Sequence, residues 1–241
     1  MIPNGWMKAM AVMVGCALLA GAAFGQTPTP DPCAPDATEA YFVGAGNASL
    51  ALRDYSTAET RYTCALLRDG ASVDALARRG YVRSVLGNDA GALADFAAAL
   101  TLDERRVEVY INRGVLYLRQ GNFALAMGDL DLALTLEPGN ARALHNRAIA
   151  HAAEGAFTRA LADIDAALAI TPDDPALHAA KGAIYLGLAN TSYARFRSLA
   201  GDSAPFFGGA PTNVYLALER NLTTGSFGEW LGFLRPAREE S

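Results

Sequence analysis

Lysine is almost missing from this chain: of 20 basic residues only Lys8 and Lys181 are lysines, and the formal net charge is −5. That sign is wrong for a phosphate backbone, so a nucleic-acid partner is excluded, and the acidic excess is too small to specify a cationic one. Charged residues are also scarce at 19% against 51% hydrophobic, which rules out a chain too polar to bury a core. Histidine occurs three times, and His145 and His151 stand six apart, off a common helix face, so a paired metal site is not expected. There is no glycine-rich phosphate loop and no Gly-x-Ser-x-Gly elbow. Asp129 and Asp131 reappear one block later as Asp163 and Asp165, a recurrence that belongs to architecture and not to acid–base chemistry. The expectation is therefore a non-enzyme without metal or cofactor.

Proline and glycine gather at the two ends and at regular internal intervals. At the N-terminus, Lys8 precedes an uncharged apolar run from Ala9 to Ala20, followed by small residues at Ala23-Phe24-Gly25. This order reads as an export signal over residues 1–25, too short to span a bilayer comfortably, and places the mature protein in the periplasm or outside the cell. Met13-Val14-Gly15-Cys16 is similar to the lipobox of bacterial lipoproteins, although Met13 replaces the usual leucine and the apolar run continues past Cys16. A lipid on Cys16 is thus the alternative, and the only route to a membrane. Beyond the signal lie a Pro-rich linker, 26–38, and two cysteines, Cys33 and Cys64. An even pair in an oxidising compartment is expected to form a disulfide; two free thiols, with Cys64 buried as a small hydrophobe, are the other reading.

Self-similarity organises the rest. Val107–Asn140 aligns without a gap on Ala141–Asp174, a period of 34 residues, and 39–72, 73–106 and 175–200 fall in the same register. The eighth position is Gly46, Gly80, Gly114, Ala148 and Gly182, and the twentieth is alanine in all five copies. Glycine inside a helix costs about 1 kcal/mol against alanine, so its return demands close helix packing. The twenty-fourth position carries the large residues Tyr62, Phe96, Leu130 and Ile164. Turns fall at Gly87-Asn88, Gly121-Asn122 and Gly155-Ala156, and Pro138 and Pro172 stop the second helix of their copies. Arg53 stands where the first copy should have its turn glycine. Arg79, Arg113 and Arg147 recur at the seventh position and Asp95, Asp129 and Asp163 at the twenty-third, which suggests ion pairs between paired helices, worth about 0–1 kcal/mol each if exposed.

These columns match the tetratricopeptide pattern, and the chain resembles that family from about Glu39 to Ala194. The resemblance implies an all-α fold: an α-solenoid, a right-handed superhelix of about five helix-turn-helix repeats, whose first helices line a concave face. It also implies that positions 2, 5, 9, 12 and 13 of those helices face inward. The expected groove is mainly apolar, built from Tyr81, Ile111, Val115, Leu118, His145 and Ile149 with Glu108, Arg119 and Arg142 at its rim. Such a surface suits a helix or extended peptide from another protein. Residues 201–241 carry Phe206-Phe207, a short helical stretch near Asn213 to Arg220, and Phe227, Trp230 and Phe233; they are expected to cap the last repeat, with filling of the groove as the alternative. Function on this reading is an extracytoplasmic protein-interaction scaffold, or a lipid-anchored envelope assembly factor if Cys16 is acylated. Oligomeric state is left open.

Overall fold

The computed structural model describes residue 33 and residues 36–200. Met1–Ala37 and Thr38–Ser241 are separate units, and the described part of the second is helical throughout. The helices are α1 (Glu39–Ala51), α2 (Tyr55–Arg68), α3 (Val73–Val85), α4 (Asp89–Leu102), α5 (Val107–Arg119), α6 (Phe123–Leu136), α7 (Ala141–Ala153), α8 (Phe157–Ile170) and α9 (Pro175–Ala200). Each first helix begins where the 34-residue register places it. Together they form an all-α helical repeat solenoid.

Local chemistry sets the boundaries. Thr38, Asp54, Ser72, Asn88 and Asn140 each accept a hydrogen bond from the backbone N–H three residues on, satisfying a donor that the first turn leaves open. Between the helices of a pair the chain turns through one residue in the left-handed region: Arg53 (φ 59°), Gly87 (φ 83°), Gly121 (φ 74°) and Gly155 (φ 76°). Three of the four are glycines, which adopt this conformation without steric cost.

Close packing inside each pair explains the eighth-position glycines. A Cβ on Gly46 would lie 2.5 Å from the Tyr62 ring, and one on Gly80 would lie 2.7 Å from the Phe96 ring. At Gly114 the approach to Leu130 would be 3.1 Å. Tyr62, Phe96, Leu130 and Ile164 are wholly buried, so the ring or branched side chain of the second helix fills the notch left by the first.

The arginine–aspartate columns are paired, and their setting changes the expected magnitude. Arg79, Arg113 and Arg147 each donate two hydrogen bonds, at 2.7–2.9 Å, to Asp95, Asp129 and Asp163 respectively. The aspartate side chains are only 5%, 7% and 9% exposed. These are bidentate pairs with shielded carboxylates, not exposed surface pairs. Several also cross between repeats: Arg83 links Glu59 to Asp95, and Arg147 reaches back to Asp131 at 2.7 Å.

The fifth copy departs from the others. Four copies are helix pairs, but 175–200 is one continuous helix. Ala189 occupies the position of the turn glycine, and Asn190 follows it. Alanine pays a steric penalty in the left-handed region, which favours a helix that runs on, although Arg53 bears that penalty at the same position of the first copy. Lys181, at the seventh position, bonds Asp165 of the preceding copy at 2.7 Å, while the forward position holds Arg197 in place of an aspartate.

Candidate functional site: the inner face of the array

Contact between first helices is present at every step along the array, whereas the second helices of neighbouring copies touch marginally at most. The array therefore bends towards α1, α3, α5 and α7, which line its inner, concave side.

On that side a shallow depression is lined by Leu50, Ala77, Arg78, Tyr81, Arg106, Glu108 and Asn112. Residues from three consecutive copies meet there. Tyr81 and Glu108, two of the groove residues expected from sequence, share this site. Arg106 is tied to Asp74, and Asn112 accepts a hydrogen bond from Arg142 Nη2 at 2.9 Å. Val115 and Leu118 are half-buried further along α5, and Arg119 is exposed, donating to the Ser84 carbonyl at 2.7 Å and to Asp89.

The remaining expected groove residues sit deeper. Ile111, His145 and Ile149 are 1%, 3% and 5% exposed, and the two isoleucines belong to the hydrophobic core running from α5 to α9. A charge introduced at Ile149 would be buried, so that position reports on folding and not on recognition. The accessible groove is consequently more polar than the sequence columns imply. Burial pushes the His145 imidazole below its ordinary range, against the opposing charge of Asp174.

Arg78 and Arg106 were missed by the column reading. Arg78 lies at the sixth position, one residue beyond the fifth and four beyond the second, and so flanks the inward-facing columns on the same helix side. The signal was its variability: Gly44, Arg78, Asn112, Asn146 and Ala180 occupy that column. The same column explains a buried polar group. Asn112 pairs with the arginine at the second position of the next copy, but the counterpart facing Asn146 is Ala176. The Asn146 carboxamide is fully buried and makes no hydrogen bond among the described residues.

A tetratricopeptide repeat family model matches residues 85–141 and again 111–175, the segments whose helix pairs, turn glycines and buried notches are described above. Residues 85–175 of this chain are tetratricopeptide repeats. Its fold is similar to a tetratricopeptide repeat protein of Parabacteroides merdae (19% identity, 84% of this chain and 80% of that one, TM-score 0.57). It is likewise similar to a thermophilic tetratricopeptide protein of Thermus thermophilus (22%, 78% and 98%, 0.56) and to pilF of Pseudomonas aeruginosa (20%, 81% and 86%, 0.58). No curated protein matches the chain in sequence. Among the described residues of this tetratricopeptide array, no cluster of three or more His, Cys, Asp or Glu could hold a metal ion. None of its described helices is long and apolar enough to cross a membrane.

Proposed function

We propose that this chain is an exported scaffold that binds a peptide or helix of another protein along its inner face. Tetratricopeptide arrays are protein-interaction scaffolds and generally non-enzymatic, and the depression shared by three copies is the observation that carries the reading. Leu50, Ala77 and Tyr81 offer an apolar floor beside Arg78, Arg106 and Glu108. A ligand with an apolar anchor flanked by polar groups of both signs fits that lining.

Export remains part of the proposal, because the signal at residues 1–25 and Cys16 lie outside the described residues. Mass spectrometry of the mature N-terminus separates a secreted form beginning near Gln26 from one acylated on Cys16. The Cys33–Cys64 bridge is proposed on the same compartment argument, and peptide mapping without reductant tests it; Cys64 itself is fully buried.

The binding test is affinity capture from an envelope fraction, using the mature chain beside a Tyr81→Ala/Glu108→Arg variant. Any candidate is then titrated as a purified protein against both forms. Binding that weakens at least tenfold in a variant with an unchanged melting midpoint supports the inner face. Equal affinity for both forms refutes it.

A further inference from the structure

The face of α9 that points away from the preceding copy is unfinished. In the first three copies the eighth-position glycine is filled by the second helix of its own pair, through Tyr62, Phe96 or Leu130. Gly182 occupies the same position on α9, and no described atom lies within 4 Å of the place where its Cβ would be. The fourth position is buried as Phe42, Leu76 and Leu144, yet His178 is exposed. Beside the open notch, Tyr185 and Leu186 are 51% and 48% exposed. One side of α9 is thus shaped for a partner helix that the helix itself, by running straight through Ala189, does not supply.

We propose that residues 201–241 of the same chain cover this face, with the stretch from Asn213 to Leu222 laid against Gly182 and Tyr185 in place of a fifth second helix. Reach allows it. From Ala200 the chain must return about 16 Å to the level of Ala189, at 1.5 Å per helical residue. Residues 201–212 can span roughly 40 Å when extended. Their content of Gly201, Pro205, Gly208, Gly209 and Pro211 is that of a connection. Asn213 then offers a helix cap, and Val214, Leu218 and Leu222 follow at helical spacing on one stripe. A solenoid needs its terminal face covered, and after Phe206-Phe207 these begin the next large apolar residues along the chain. The proposal does not depend on what binds the inner face.

The test uses the full chain with p-benzoylphenylalanine at position 185, and separately at 186. Both positions are exposed, so a bulky aromatic is tolerated. After irradiation, a product of monomer mass whose cross-linked peptide lies within 201–241 is expected, and the yield should fall to background in a Leu218→Asp/Leu222→Asp variant. A dimer-mass product joining two copies through α9 would overturn the proposal in favour of self-association. Cross-links confined to 38–200, or none from either position, would overturn it by leaving the face open.

Discussion

Removing the guanidinium of Arg113 while keeping its stem isolates the contribution of one repeated ion pair. Arg113 donates from Nε and Nη2 to the two Asp129 oxygens, both at 2.8 Å, with side-chain exposures of 21% and 7%. In Arg113→Met the carboxylate keeps its shielded position and loses both charged donors. Stranding a buried charge costs about 3–5 kcal/mol, several times the 0–1 kcal/mol of an exposed pair. The double variant Arg113→Met/Asp129→Leu removes the stranded charge as well, and replacement of a whole buried pair by apolar groups is often neutral. Urea denaturation followed by far-UV circular dichroism should therefore show a large loss for the single variant and recovery of most of it in the double. A single-variant loss below about 1 kcal/mol would mean that solvent reaches Asp129, and the argument from burial would fail.

Other outcomes can be read from the same unfolding measurements. Arg53→Gly is expected to stabilise the chain by about 1 kcal/mol, because an exposed arginine pays for a left-handed turn at φ 59° that glycine adopts freely; a loss would show that its side chain matters more than its backbone. Gly80→Ala gains about 1 kcal/mol of helix propensity but places a Cβ 2.7 Å from the buried Phe96 ring. Overpacking of about 1–3 kcal/mol should win, so the midpoint falls. Gly44→Ala, with nothing within 4 Å, should rise instead. For His145 the sign follows from its lowered folded pKa: the unfolded imidazole, near 6.5, takes up a proton first. The stability it contributes is complete above that value and is lost as pH falls from about 6.5 towards the folded pKa. Melting midpoints of the parent chain should fall more steeply across that window than those of His145→Gln, and parallel curves would sink the assignment.

The period, the turn glycines and the paired arginine–aspartate columns were legible in the sequence because each repeats a packing requirement. Gly46, Gly80 and Gly114 announced close approach before any helix was placed. What could not be read there depends on neighbours that differ from copy to copy. Ala189 looks like one more alanine until the turn it replaces is seen to need a positive φ. Ile149 and Val115 share a column, yet one is buried and the other half-exposed, because their surroundings along the array are not equivalent. Arg78 and Arg106 entered the inner site from columns outside the inward-facing set. The magnitude of the ion pairs was likewise hidden, since charge spacing does not report shielding.

The seam between the second and third copies has a consequence for how the array comes apart. Contact between α4 and α5 is slighter than between α2 and α3, α6 and α7, or α8 and α9. The ion pairs linking second helices to the following copy, from Glu59, Asp131 and Asp165, have no equivalent there, because Ala97 stands in the column of Asp131. The seam is held by buried apolar contacts, Val109 and Leu116 sharing a core cluster with Phe96 and Ala99, and its charged link is the more exposed bond from Arg119 to Asp89, which salt screens. A one-dimensional assembly divides at its weakest junction, so an unfolding array is expected to part first here, between the block 39–102 and the block 107–200. The depression on the inner face draws Leu50, Arg78 and Tyr81 from one block and Glu108 and Asn112 from the other. A ligand seated there would act as a staple across the junction, and its binding would raise the free energy needed to part the two blocks.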